Sequence, residues 1–345
     1  MGEIIVVEHV FKLNGHKVRP FMLTAKISPR GCSGKLERAM ADFSADESFA
    51  KAVGKVQEHY GITVTSYAVR NATLKHGETM LKSDQAQNHG IAQERGVPQL
   101  IAEMDGCMLP IVEFNSNSRT KDRRKVRTVS WKETRLSMAH EPGKVMPFYA
   151  STGIGGSTVE AGKQLEHCAI LAGAGHATKI HGVGDGARWI AEQFEAIFGT
   201  QATYLLDFYH VCDYLAAAAN TCAKRPESWR TRQKNKLKRG EVKKILATLE
   251  PHLEPSTVVN EDAPVRACHR YLSNRLGQLD YKSALENDLP IGSGEIESAH
   301  GHVLQARLKL AGAWWKVENA NKVIALRLNR ANDKWDAYWE NRRAS

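Results

Sequence analysis

Cysteine is too scattered in this 345-residue chain to organise it. Cys32, Cys107, Cys168, Cys212, Cys222 and Cys268 form no CxxC pair, which excludes a zinc ribbon and a disulfide scaffold and points to a reducing cytoplasm. No stretch approaches 18 uncharged apolar residues, so no membrane span is expected. The opening MGEIIVVEHVFKLNGHK lacks the basic leader and long apolar run of an export signal. Repeats of fixed period are missing too. Acid is the minority charge: 38 Asp and Glu against 48 Lys and Arg leave a formal charge of +10, which calls for a polyanionic partner if the excess is clustered.

It is clustered. Residues 224–244, KRPESWRTRQKNKLKRGEVKK, hold ten Lys or Arg and two Glu, with Trp229 interposed. Such a run serves either as a solvated face or as a contact for nucleic-acid backbone, and its size favours the second. Arg230, Arg232, Lys234, Lys236, Lys238 and Arg239 are its candidate DNA contacts. A second patch, RTKDRRKVR at 119–127, adds Arg123, Arg124 and Lys125.

The pattern divides the chain into five stretches. Residues 1–31 read as short strands, EIIVVEHVFKL and PFMLTAKI, around the turn NGHK. Residues 32–98 are helical. SADESFAKAVGKVQEHYG carries Phe49, Val53 and Val56 on one stripe and stops at Gly61; ITVTSYAVRNATLKHGE starts at a Thr65 cap and ends at Gly77. Two helices joined by a glycine turn are a loose helix-turn-helix pattern, with Arg70, Asn71, Thr73 and Lys75 available to DNA on the second. Residues 99–211 alternate: strands in QLIAEMDGCMLPIVEF, WKETRLSMAH and KVMPFYAST, a helix in STVEAGKQLEHCAILAG opened by a Ser157–Glu160 capping box, the strand TKIHGVGD, the helix GARWIAEQFEAIFG and the strand QATYLLDFYHV. This predicts an α/β fold, a mixed sheet with helices against it. Residues 212–287 form an all-helical insertion, and 288–345 return with further helices.

Three carboxylates fall inside or at the ends of apolar strands, where a charge is costly unless it is paired, hydrogen-bonded or bound to a cation. They are Asp105, Asp185 and Asp207. Each has a simpler use: a turn at Asp105-Gly106, and helix caps at Asp185 and Asp207. Their joint placement near neighbouring strand ends is what suits a metal site.

The order DG in a strand, GDGARW, LLDFYH, a helical insertion and then PIGSGEIESAHGHVLQARLKLAGAWW resembles the DDE transposases of bacterial insertion sequences, in particular the Kra branch related to the Mutator-like superfamily. The resemblance runs from about residue 30 to 335 and includes the two helices of the N-terminal region. Longer relatives of that branch carry a cysteine-bearing N-terminal module, whereas here Cys32 alone stands near the start. The resemblance implies an RNase H-like core in which Asp105, Asp185 and Glu297 hold two Mg²⁺ ions, with Mn²⁺ as a substitute. It also implies that Asp207 and His210 of DFYH support the site. On a helix, residues two apart point about 200° from each other, so Glu295 and Glu297 cannot both face it. The stripe Ile296, Ala299, Val303, Ala306 and Leu310 does not decide between them; the IES motif favours Glu297 and leaves Glu295 as the alternative.

The implied function is Mg²⁺-dependent cleavage of insertion-sequence ends and strand transfer into target double-stranded DNA, by a homodimer or higher oligomer in the bacterial cytoplasm. Arg307 and Lys309 join the candidate DNA contacts. A structure-specific nuclease or resolvase would share the metal site, and a non-catalytic DNA-binding regulator would share the helices and the charge but leave the acids unused. His210 serves as base, phosphate contact or structural histidine; His300 belongs to the solvated surface; and of Trp314 and Trp315, at least one is core while the other is able to stack on an unpaired base.

Overall fold

The computed structural model describes residues 5–25, 32–85, 90–91, 93–114, 122, 126–144 and 146–344. The chain opens with β1 (Phe11–Leu13) and β2 (His16–Val18), paired antiparallel. The next segment, PFMLTAKI, was expected as a strand and instead begins as helix α1 (Pro20–Thr24), with proline at the first helical position where its missing N–H costs nothing. Helix α2 (Gly34–Asp46), inside the stretch read as helical but not delimited there, is capped by Ser33. Helix α3 (Phe49–Tyr60) ends at Gly61 as its sequence signals, and α4 (Ser66–Gln85) starts from Thr65, whose hydroxyl accepts from Ala68 N at 3.1 Å. The remaining elements are β3 (Gln99–Phe114), β4 (Arg127–His140), β5 (Phe148–Ile154), α5 (Thr158–Leu171), β6 (Lys179–Gly184), α6 (Arg188–Phe198) and β7 (Ala202–Leu206). The insertion supplies α7 (Phe208–Cys222), α8 (Pro226–Lys238), α9 (Val242–Leu249), α10 (Pro264–Ser273) and α11 (Tyr281–Glu286). Then come α12 (Gly294–Ala299), a π-helical turn His300–Gln305, α13 (Ala306–Leu308), α14 (Val317–Ala331) and α15 (Trp335–Ala344).

These elements fall into two compact units. The first is built from Met1–Asn88, Met108–Glu133 and His300–Ser345; the second from His89–Cys107 and Thr134–Ala299.

In the first unit Met40, Ala52, Val56, Ile62, Val69 and Ala72 form the core among α2, α3 and α4. Helix α4 does not stop at Gly77. A Cβ there would lie 2.3 Å from the carbonyl oxygen of Lys322 on α14, so the glycine permits close approach of two helices instead of ending one. Arg307 is 2% exposed, its guanidinium about equally placed over the rings of Phe49 (5.0 Å) and Trp315 (4.8 Å), with Nε donating to Ser44 O at 2.9 Å.

In the second unit the strand order is β5-β4-β3-β6-β7, with β3 parallel to β6, β6 parallel to β7 and β4 antiparallel to β5. This five-stranded mixed sheet flanked by helices is RNase H-like. Strand alternation assigns its faces. Leu100, Ala102 and Met104 of β3 and Ile180 of β6 pack with Leu165, Ile190 and Phe194 of α5 and α6. The residues between them, Ile101, Glu103 and Asp105 on β3 and His181, Val183 and Asp185 on and after β6, therefore face the opposite side. The insertion has its own core, in which Leu215, Trp229, Leu237, Ile245, Leu272 and Tyr281 are buried. Trp229, interposed in the basic run, is structural at 3% exposure.

Candidate active site

The acids are brought together by register. Gln99 pairs with Lys179 and Glu103 with Val183, so the same offset carried two residues on sets Asp105 beside Asp185. Ile180 pairs with Ala202 and Gly184 with Leu206, which sets Asp185 beside Asp207, and Asp207 N donates to Gly184 O at 2.7 Å to extend that ladder. Three aspartates thus stand at one level and on one face of three neighbouring parallel strands, Asp105 within β3 and Asp185 and Asp207 directly after β6 and β7. Strand spacing places their backbones about 5 Å apart in succession, or about 10 Å from first to last. A turn at Asp105-Gly106 does not form: β3 continues through it, and Asp105 Oδ1 accepts from Gly106 N at 2.7 Å.

Asp207 is buried and its carboxylate is committed. Oδ1 caps α7 by accepting from His210 N at 2.7 Å, and Oδ2 accepts from both Ser293 N (2.6 Å) and Ser293 Oγ (2.9 Å). The DFYH and GSG segments are therefore one joint, and Gly292 is needed in it because a Cβ would meet the Tyr209 ring at 2.9 Å. The joint fixes the start of α12. A second tie, which sequence reasoning missed, comes from Glu103, fully buried two residues before Asp105: its Oε2 accepts from Ile296 N at 2.9 Å, while Oε1 has no hydrogen-bond partner among the described residues. Burial first, then Glu295, Asp207 and Glu297, push its carboxyl up to about 8 against the pull of the Ile296 amide. The alternation of β3 carried the signal, a glutamate at an inward position between Ile101 and Asp105.

The two glutamates of α12 diverge as the 200° rule requires. Glu295 Oε2 lies 2.8 Å from Nε2 of His140, and both line a recess of about 550 Å³ with Ile101 and Pro290. Glu297 lies within the field of the aspartates. Its carboxyl is raised by burial and then by the charges of Asp207, Asp105 and Asp185, with His210 opposing them. Among the described residues, no three His, Cys, Asp or Glu side chains are grouped tightly enough to hold a metal ion as they stand.

Asp185 does not cap α6, whose N-cap is Ala187; its Oδ1 accepts from Ala187 N at 2.8 Å and so closes a tight turn. The insertion grips this turn. Tyr271 OH donates to Asp185 O at 3.0 Å, Arg275 donates to Gly186 O at 3.1 Å, and Tyr214 stacks on Tyr271 at 4.0 Å. His210 is exposed, with its ring 5.9 Å from that of Tyr214 and 6.3 Å from that of Tyr271. His300, expected at the surface, is 3% exposed.

The candidate DNA contacts divide. Thr73 is buried, donating to Val69 O at 2.7 Å, so it is not available on the face of α4. Arg70 is half-buried, and Lys75 pairs with Glu37 at 2.9 Å. Arg307 is sequestered as described, because two aromatic rings enclose it. On α8, Arg230 pairs with Glu227, Lys236 donates to Thr248, Lys238 lies 5.1 Å over Phe208, and Arg239 at its end pairs with Glu241. Arg232 is exposed and Lys234 half-buried, and neither pairs with a carboxylate among the described residues. Arg123, Arg124 and Lys125 lie outside the described residues.

The strand order and the flanking helices give the second unit a mixed α/β, RNase H-like core. A family model described as an uncharacterised protein family, UPF0236, matches residues 171–342, a span that takes in Asp185, Asp207 and Glu297. Among solved structures, the chain is similar to the Drosophila P element transposase strand transfer complex, at 7% identity and a TM-score of 0.30 over 93% of this chain and 83% of that one. No curated protein matches it. No helix among the described residues is long and apolar enough to cross a membrane.

Proposed function

We propose that the chain is a DDE-type transposase, a metal-dependent DNA phosphoryl transferase in which Asp105, Asp185 and Glu297 are the metal ligands. The observation that carries this reading is the register that sets three aspartates side by side on adjacent parallel strands, with Glu297 on α12 within their field. Like charges held together in this way are unfavourable without a cation. Hard carboxylate oxygens suit Mg²⁺ or Mn²⁺. Asp207 is the less available ligand, because its oxygens already accept three hydrogen bonds, and in this reading it acts by fixing the Ser293 joint. Glu295 is occupied by His140, which leaves Glu297 as the third acid.

Two bound divalent ions supply activation of water or a 3′-hydroxyl and stabilisation of the leaving oxygen. The chain's own part is positional. Tyr271 and Arg275 hold the Asp185 turn, Glu103 and Asp207 hold α12, and His210, exposed beside the acids, contacts a phosphate. The basic face of α8 and the N-terminal helices hold duplex DNA, with two chains bridging two ends.

The test incubates labelled element-end DNA with wild type and Asp185→Asn, with and without Mg²⁺. Cleavage by wild type that needs the ion, absent in the variant while DNA binding persists, supports the assignment. Full-rate cleavage by Asp185→Asn overturns it. Joining of a 3′-end to target DNA separates a transposase from a nuclease, and metal-independent binding with no cleavage by wild type marks a regulator.

A further inference from the structure

Two tryptophans of the first unit face water although this unit has a core to receive them. Trp131 on β4 is 58% exposed and Trp314, after α13, is 42% exposed, whereas the adjacent Trp315 is 4% exposed. Each exposed ring carries a cation taken from the other segment. The Arg127 guanidinium lies 3.7 Å from the Trp314 centroid, and Lys309 Nζ lies 5.7 Å from that of Trp131. Strand alternation places Arg127, Val129 and Trp131 on one face, and Val129 is 50% exposed. The two ring–cation pairs are therefore about 13 Å apart along the strand. Residues 126–132 and 306–316 contain Arg127, Lys132, Arg307, Lys309 and Lys316 and no carboxylate. A cation over an exposed ring recovers only part of what burying an indole would give, so folding alone does not account for two such pairs side by side.

We propose that this face, Arg127, Val129, Trp131, Lys309 and Trp314, binds unpaired bases of single-stranded DNA. The proposal rests on the DNA-processing reading above and names a substrate form for it. Flat apolar rings flanked by cations match a strand whose bases are unstacked, each base presenting a π-face to a ring and its phosphates to Arg127 and Lys309. Duplex DNA offers phosphates but keeps its base faces in the stack, and an apolar protein partner has no use for the positive flank.

The test measures, by fluorescence anisotropy in EDTA, binding of the full chain to a labelled oligothymidylate and to a duplex of equal length. Wild type is compared with the double variants Trp131→Ala/Trp314→Ala and Trp131→Phe/Trp314→Phe. Loss of stacking weakens binding roughly 5- to 150-fold per base. The alanine pair is therefore expected to lose at least about tenfold in single-strand affinity, the phenylalanine pair to keep most of it, and duplex affinity to stay within about twofold in both. Unchanged single-strand affinity in the alanine pair overturns the proposal, as does an equal loss for duplex and single strand. Phenylalanine failing as badly as alanine also overturns it, because an aromatic face is then not what is needed. The assay needs no metal and no cleavage, so its outcome does not depend on the carboxylates. A failure of the transposase reading shows up in the cleavage assay alone.

Discussion

At the scale of single residues, the most informative side chain is Glu103. It is fully buried, one of its oxygens accepts from the Ile296 amide and the other has no hydrogen-bond partner among the described residues, so it is costly to the fold and useful only for where it puts α12. Glu103→Leu is expected to leave the urea midpoint equal or higher, since a buried ionisable group is replaced by an apolar one. It should lower Mg²⁺-dependent cleavage by roughly 10- to 100-fold through misplacement of Glu297. Glu103→Gln, which keeps an acceptor for the amide, should retain most activity; equal loss in both variants would assign the role to charge instead of position. A different residue sets the acid limit of the first unit. Burial raises the Glu37 carboxyl, but hydrogen bonds from His76 (3.0 Å) and Lys75 (2.9 Å) outweigh it and bring it down to about 2. A carboxyl depressed on folding contributes stability that is present above the unfolded value of about 4.3 and is lost as pH falls toward 2. Buried His76 is itself lowered, first by desolvation, so the unfolded chain also takes up its proton as pH drops through about 6.5. Glu37→Gln should cost about 1–3 kcal/mol at pH 7 and flatten the decline in urea stability between pH 5 and 3. An unaltered acid limb in that variant would place the sensitive carboxylates elsewhere.

At the scale of elements, glycine separates what a sequence signals from what packing decides. Gly61 and Gly77 look alike in one dimension, and a helix ends at the first but runs through the second. The reason lies 245 residues away, in the carbonyl of Lys322 that a Cβ at 77 would strike. Gly77→Ala is therefore expected to destabilise by about 1–3 kcal/mol despite alanine's better helix propensity, read as a lowered urea midpoint; a gain in stability would show that α4 and α14 have room to separate. The alternating region was largely legible. Seven elements from β3 to β7 follow their period-2 and 3.6 patterns, and the Ser157–Glu160 capping box forms as spelled. Helix α1 was not legible, because it is a five-residue turn started by proline, whereas α2 lies inside a stretch read as helical without being delimited. The acids were legible as misfits within apolar strands, and so was their order along the chain. Glu103, Ser293, Tyr271 and Arg275 were not, because each acts through a group remote in sequence, a backbone amide or carbonyl or the Asp207 carboxylate, and such partners follow no spacing rule. Charge misled at Arg307, since a cationic side chain in the sequence does not reveal which face a helix buries.

At the scale of the whole molecule, the excess of ten positive charges is a statement about partners that still has to be placed on a surface. Much of the cationic run in the insertion is already engaged: Arg230 and Arg239 by glutamates, Lys236 by Thr248 and Lys238 over Phe208. Arg232 and Lys234 pair with no carboxylate among the described residues, so they have the most to gain from a phosphate. Each phosphate neutralised on duplex DNA releases counterion, and the slope of log affinity against log salt becomes shallower by about 0.9 for every phosphate left without its cation. Arg232→Ala/Lys234→Ala is therefore expected to reduce that slope by about 1.8, with affinity converging on wild type as salt rises. Arg230→Ala/Arg239→Ala removes the same formal charge, yet should change the slope less, because Glu227 and Glu241 already compete for those guanidinium groups. Equal slopes for wild type and both variants would make α8 a solvated face, and the polyanion would then have to be held by the remaining basic surface of the chain.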